Sequence, residues 1–258
     1  MRFNTGKVLG ISITLNPKKK ILEEIQKYLA DGEKPLVIVT PNPEQIVLAQ
    51  GEKRFAEVLN QADIAIPDGI GVVWALKKQG IKNIQRFSGI ELFEELVAYA
   101  AQKPVRTGLI GGWGKLAVET KECLQAQHAG LHIEAKPLPE LIVEKGALKS
   151  AELSIKQTIE WIQKNNLRMV FVGVGAPKQE LFIDALARRT SGPVLFMAVG
   201  GTFDIVSGKI RRAPVFVRTM GLEWLWRLTI QPWRWRRQVA LLKFIQLVLT
   251  ERFRSTLK

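Results

Sequence analysis

Short apolar runs rich in β-branched residues alternate with stretches whose apolar positions recur every three or four residues. The runs at 8–13, 36–40, 63–66, 106–110, 132–135, 169–174 and 194–199 predict strands. Two of them, MVFVGV and VLFMAV, are apolar at every position, as expected of strands covered on both faces. Helical periodicity predicts helices over 19–30, 44–59, 71–79, 90–102, 115–127, 151–165 and 178–189. This βαβα alternation predicts an α/β fold: a doubly wound, Rossmann-like, mostly parallel sheet with helices on both faces. Ligands of such sheets bind beyond the carboxyl ends of the strands, so the loops that follow strands are where chemistry is sought.

The rhythm stops at Ala213. Two helices, about 215–230 and 233–254, are predicted beyond it, broken at Pro232. The pattern divides the chain into an α/β domain over 1–210 and a helical appendage over 211–258. Charge sharpens the division. The appendage holds eleven Lys/Arg against two acids, a surplus of nine out of the chain's +14. Four of the seven tryptophans (Trp224, Trp226, Trp233, Trp235) are interleaved with those arginines. Arginine grips phosphate bidentately and tryptophan favours the boundary between apolar and aqueous phases, so this surface suits an anionic, greasy partner.

Composition removes several classes. An apolar content of 47% supplies a full core and argues against disorder. One cysteine, Cys123, leaves no internal disulfide and favours a cytosolic chain. The first residues carry no long apolar segment of the signal-peptide kind. The greasiest stretch, 239–249, is interrupted by Lys243 and Gln246 and is too short to span a bilayer. The expectation is a cytoplasmic protein, peripheral on the inner face of the cell membrane.

Five loops are candidates. VTPNPEQ places Thr40 and Asn42 at a strand end, with Asn42 also a helix cap. IPDGIG places Asp68 after an apolar run, where it is either a general base or a turn residue. GLIGGWGKLA contains Gly111 and Gly112, and its Gly112, Gly114 and Ala117, with Glu134 about twenty residues on, sketch a dinucleotide fingerprint. GVGAPKQE uses Gly173, Gly175 and Pro177 to present Lys178, Gln179 and Glu180; a glutamine amide can both donate and accept. AVGGTFD brings Gly201 close to whatever binds there and sets Asp204 beyond the strand. His128 and His132, the only histidines, lack the company that would make a metal site, and no cofactor is indicated.

The ordered set TPNPE, PDGIG, RFSGIELF, GLIGG, GVGAPKQE, VGGTFD, GKIRRAP and GLEWLWR…QPWRWRR resembles the WecG/TagA/CpsF glycosyltransferases over nearly the whole chain. The resemblance implies inverting, metal-independent transfer of a sugar, typically N-acetylmannosamine, from UDP to a polyprenyl-diphosphate-linked acceptor, in teichoic acid, common-antigen or capsule synthesis. It implies a base at Asp68 and substrate contacts at Thr40, Arg86 and Gln179; the strand-end loops themselves add Asn42, Glu180 and Asp204 as candidate substrate contacts and Gly111, Gly112, Gly173, Gly175, Pro177 and Gly201 as candidate nucleotide contacts. It implies a grip on the lipid diphosphate by Arg227, Arg234 and Arg237. An anionic membrane surface is the further partner; a homo-oligomer is compatible with the reading. Two other classes compete: a basic nucleic-acid-binding protein, which leaves the glycine loops idle, and an NAD-dependent oxidoreductase built on GGWGKLA and Glu134.

Overall fold

The computed structural model describes residues 3–256, with side chains other than those of 236–238 and 252–256. The chain opens with a hairpin, β1 (Thr5–Val8) and β2 (Ile11–Thr14), rather than with the single strand expected at 8–13. Leu9 and Gly10 both take positive φ (49° and 80°), the requirement of a two-residue hairpin turn, so the apolar run folds back on itself. The hairpin stands outside the main sheet.

There follow α1 (Lys18–Asp31), β3 (Leu36–Val39), α2 (Pro43–Gly51), α3 (Lys53–Gln61), β4 (Ile64–Ala65), α4 (Ile70–Lys78), α5 (Gly89–Gln102), β5 (Thr107–Gly111) and α6 (Leu116–Gln127). Next come β6 (Ile133–Lys136), a second hairpin of β7 (Ile142–Glu144) and β8 (Ala147–Lys149), α7 (Glu152–Lys164), β9 (Met169–Gly173), α8 (Lys178–Ala187), β10 (Leu195–Ala198) and α9 (Thr202–Val206). The chain ends in α10 (Val215–Thr219), α11 (Glu223–Ile230), a 3-10 turn at Pro232–Arg234 and α12 (Trp235–Thr256).

Six strands form one parallel sheet in the order β4-β3-β10-β9-β5-β6. The doubly wound architecture read from the alternation is the one observed. Strand alternation splits its core cleanly. Leu195, Met197, Met169 and Phe171 pack with α1 and α5 residues such as Ile25 and Phe93. Phe196, Ala198, Val170 and Val172 pack on the opposite face with α7 and α8 residues such as Ile155 and Phe182. Both faces are dry, which is why these runs are apolar at every position.

Two helices depart from expectation. The helix expected over 44–59 is two, because Glu52 leaves the helical region (φ −123°, ψ 85°). The helix expected over 215–230 is also two, parted where Gly221 takes φ +74°. α9 and the β7–β8 hairpin, too short to show periodicity, are additional.

The C-terminal helices do not stand apart from the sheet domain. Phe244 and Val248 of α12 are buried in one cluster with Ile46 and Ala49 of α2 and Val72, Val73 and Leu76 of α4. Phe244 is completely enclosed. Burying such a ring is worth about 1.5–3 kcal/mol, so α12 is fastened by its apolar seam rather than by charge. None of the described helices is long and apolar enough to cross a membrane.

Candidate active site

The carboxyl ends of β4 and β3 place the first group. Ile66 N–H donates to the carbonyl of Val39, and Asp68 N–H donates to that of Pro41 at 3.2 Å. Phe87 N–H donates to the carbonyl of Pro67 at 3.3 Å. The Pro67–Asp68 turn is thus pinned between the loop after β3 and the segment leading into α5. Gly71, just beyond, has no room for a side chain: a Cβ there would lie 2.7 Å from the Pro43 ring. This close approach is what lets α2 and α4 start side by side around Asp68.

Asp68 keeps part of its surface open to solvent, but its carboxyl is crowded by protein and charge. Burial, and secondarily the like charge of Glu223, push its pKa from 3.8 up to about 7; Arg86 and Arg227 pull it back, and Glu91 adds a smaller upward push. Arg86 bridges two of these acids, with Nη2 at 3.2 Å from Glu91 Oε1 and Nη1 at 3.4 Å from Glu223 Oε2. Glu91 is held in turn by a capping box: Ser88 Oγ accepts from Glu91 N–H, and Glu91 Oε2 accepts from Ser88 N–H. Gly89, between them, lets α5 approach Thr40, since a Cβ there would meet the Thr40 side chain at 3.1 Å. Thr40 is buried at the end of β3.

The C-terminal helices supply the other half. Glu223 and Arg227 both project from α11, toward Arg86 and toward the loop after β10 respectively. Arg227 Nη2 donates to the Gly201 carbonyl at 3.4 Å. A Cβ on Gly201 would sit 3.0 Å from that Nη2 and 3.4 Å from Asp204 Oδ2, so glycine brings arginine, backbone and Asp204 together. The turn at Gly221 packs on Ile70, two residues from Asp68. Arg234 donates to Gln231 Oε1 within the 3-10 turn. The Arg237 side chain lies outside the described residues.

Beneath the rim lies a layer of amides around one carboxyl. Asn42 caps α2 in a reciprocal box with Gln45. Gln45 Nε2 and Gln179 Nε2 both donate to Glu180 Oε1, at 3.0 and 2.8 Å. Gln179 Oε1 accepts from Gly175 N–H at 3.2 Å and Gly200 N–H at 3.0 Å. Glu180 is 1% exposed, and burial raises its pKa from 4.5 to about 7. On the next strand, Gly112 N–H donates to the carbonyl of Gly173 at 3.0 Å, tying the loop after β5 to that after β9; Gly111, at the end of β5, is packed against Val174. Pro177 begins the turn into α8. Among the described residues no three His, Cys, Asp or Glu side chains gather as a metal site. Two surface cavities, of about 220 and 310 Å³, lie by His128 and Arg212 and by Phe55 and Lys178; neither is lined by Asp68.

The pattern of the Glycosyl transferase WecG/TagA/CpsF family matches residues 6–258. The chain belongs to that family. It is 34% identical over 228 residues to the N-acetylglucosaminyldiphosphoundecaprenol N-acetyl-beta-D-mannosaminyltransferase of Bacillus spizizenii (strain ATCC 23059 / NRRL B-14472 / W23), covering 88% of this chain and 84% of the relative. It is 30% identical over 230 residues to the protein of the same name from Bacillus subtilis (strain 168), covering 89% and 85%.

As a member of the WecG/TagA/CpsF family the chain is a glycosyltransferase, and the oxidoreductase and nucleic-acid readings are not favoured. The dinucleotide sketch also fails on geometry. Glu134 pairs with Gly108 near the start of β6, not at the strand's carboxyl end, and its carboxylate is taken by Lys121 at 3.0 Å. The glycosyltransferase brings Asp68, Arg86, Arg227, Gly201 and Asp204 around one rim. Gln179 and Glu180 lie below it with their described hydrogen bonds directed inward. Gln45, Glu91 and Glu223 complete both layers and are not legible as site residues in the sequence. The available signals were the cap-spaced pairs Asn42/Gln45 and Ser88/Glu91; Glu223 had none beyond being one of two acids in a basic tail.

Proposed function

We propose that the chain transfers N-acetylmannosamine from its UDP donor to a polyprenyl-diphosphate-linked N-acetylglucosamine at the inner face of a membrane, with inversion and without a metal. The relatives' names supply the sugar and the acceptor. The observation that carries the reading is the state of Asp68: a carboxyl lifted to about 7 and flanked by one arginine from the core and one from the C-terminal helices. A base with a pKa near the working pH is the efficient one. The acceptor hydroxyl oxygen attacks the anomeric carbon, its proton passes to Asp68, and the bond from that carbon to the donor phosphate oxygen breaks with the electron pair leaving on UDP. Arg86 and Arg227 supply positive potential beside the reacting groups, and the glycine loops after β5, β9 and β10 offer backbone N–H groups to the nucleotide.

The appendage, taken as residues 211–258, completes this pocket with Arg227 and offers Arg234 and Arg237 to the acceptor diphosphate. Its exposed Val215, Phe216, Met220, Trp224, Trp233 and Trp235 form the surface that meets the membrane. Each cation near an anionic bilayer adds about 1 kcal/mol. The test is a panel of UDP-sugars with lipid-diphosphate-linked N-acetylglucosamine in anionic vesicles, scored by UDP release. UDP-N-acetylmannosamine is the expected donor; absence of release from every donor overturns the proposal.

A further inference from the structure

The lower layer is a single directed chain of hydrogen bonds. Gln45 Oε1 accepts from Asn42 N–H, and Gln179 Oε1 accepts from Gly175 N–H and Gly200 N–H. With both amide oxygens occupied this way, both NH₂ groups must turn toward the same point, and there they meet Glu180 Oε1. The groups come from the loops after β3, β9 and β10, three adjacent strands of the sheet. We propose that Glu180 is a positioning residue: one carboxyl oxygen, shared by two amide donors from different helices, fixes these three loops relative to one another and so sets where Gly201 meets Arg227.

Several observations point the same way. Two donors from different helices converge on one oxygen, so the position demands an acceptor, which a merely space-filling side chain is not. The second oxygen, Oε2, is buried and has no hydrogen-bond partner, and among the described residues no cation pairs with the carboxyl. A group kept for charge pairing or for holding an exposed ligand would not be enclosed at 1% exposure between two amides. The consequence reaches the rim because Gly200, held from below by Gln179, is followed by Gly201, held from above by Arg227. Glu180 therefore touches none of the reacting groups and acts through the loops.

This inference rests on the reading of those loops as the nucleotide site, and its test separates the two. Glu180→Met keeps the bulk and removes the acceptor; Glu180→Gln restores a neutral acceptor; Gln45→Met removes one donor from a different helix. Each is compared with the wild-type full chain by UDP calorimetry, steady-state transfer and hydrogen exchange of the segments containing Gly175 and Gly200. Misplacing binding groups by about 1 Å can cost roughly 10²-fold, so Glu180→Met is expected to weaken UDP binding and raise the donor KM by roughly tenfold or more. It should also speed exchange in both segments together. Glu180→Gln should recover most of both losses, and Gln45→Met should reproduce them in milder form. Wild-type UDP binding and exchange in Glu180→Met, or a Glu180→Gln as defective as Glu180→Met, overturns the proposal. Should Glu180→Met fail to fold, Gln45→Met carries the same comparison. If the wild type releases no UDP from any donor, the assignment of function falls, while the exchange of the two segments still decides the role of Glu180.

Discussion

The two layers of this site solve the same problem with different chemistry. The lower layer, Asn42, Gln45, Gln179 and Glu180, uses amide hydrogen bonds gathered on one carboxyl, between side chains that are largely enclosed. The rim, Asp68, Arg86, Glu91, Glu223 and Arg227, uses full charges that keep some access to water. Enclosed donors and acceptors are rigid, because an unmet partner costs roughly 1–3 kcal/mol. Partly exposed charges can exchange partners at lower cost, since water stands in for whichever is withdrawn. A glycosyltransferase needs both: a fixed seat for the nucleotide and a rim whose charges can regroup when diphosphates enter. Among the described residues it is the rim that receives Glu223 and Arg227 of the C-terminal helices, so on the proposed reading acceptor engagement and base environment are joined there.

The strongest way to break the comparison is at the base. Asp68→Asn is expected to lower transfer by roughly 10²–10⁴ while leaving UDP affinity near wild type, the opposite of the pattern expected for Glu180→Met. Single-turnover rates alongside calorimetry decide it, and equal losses in binding and turnover would remove Asp68 from the role of base.

Next in size is the seam that holds the appendage. Phe244→Ala deletes a completely enclosed ring between α2 and α4 and should cost about 3–5 kcal/mol of stability. Chemical denaturation measures the loss. Transfer should fall with it as Arg227 and Glu223 leave the rim, whereas UDP binding, proposed to rest on the glycine loops of the sheet domain, should fall much less. The seam also means that removing 211–258 uncovers apolar surface, so a truncated chain should be less soluble than the full chain.

Solvent access to Asp68 screens its charge, so the effects of pH come last in expected size. Transfer should rise with pH and level off above about 7, following ionisation of Asp68. The stability effect has the opposite sign. The folded chain holds a proton on Asp68 more tightly than the unfolded chain, so the associated stability is complete below about 3.8 and is lost as pH rises through about 7. Asp68→Asn should therefore melt above wild type at pH 8, with the gap closing on acidification; a gap independent of pH would refute the raised pKa.

Much of this was legible without coordinates, and the reasons are local. Strands buried on both faces must be apolar at every position, so MVFVGV and VLFMAV announce a covered parallel sheet. Asp68 follows a strand and precedes glycines, which places it at the carboxyl edge whatever the sheet order. Hairpins and breaks were hidden where one residue decides: positive φ at Leu9 and Gly10 turns an apparent strand into two, and Gly221 parts a helix. The basic, tryptophan-rich tail declared its chemistry but not its seat.

The sequence by itself determined the layers, the edge of the sheet that bears the loops and the residue types available there, because periodicity, glycine and proline act within a few residues. Only the tertiary structure decided which of those residues meet. The pairing of Arg86 with Glu223 spans 137 positions and that of Gln45 with Glu180 spans 135. No local pattern encodes contacts of that range; they arise when apolar burial brings distant elements together and the polar groups left inside must find one another.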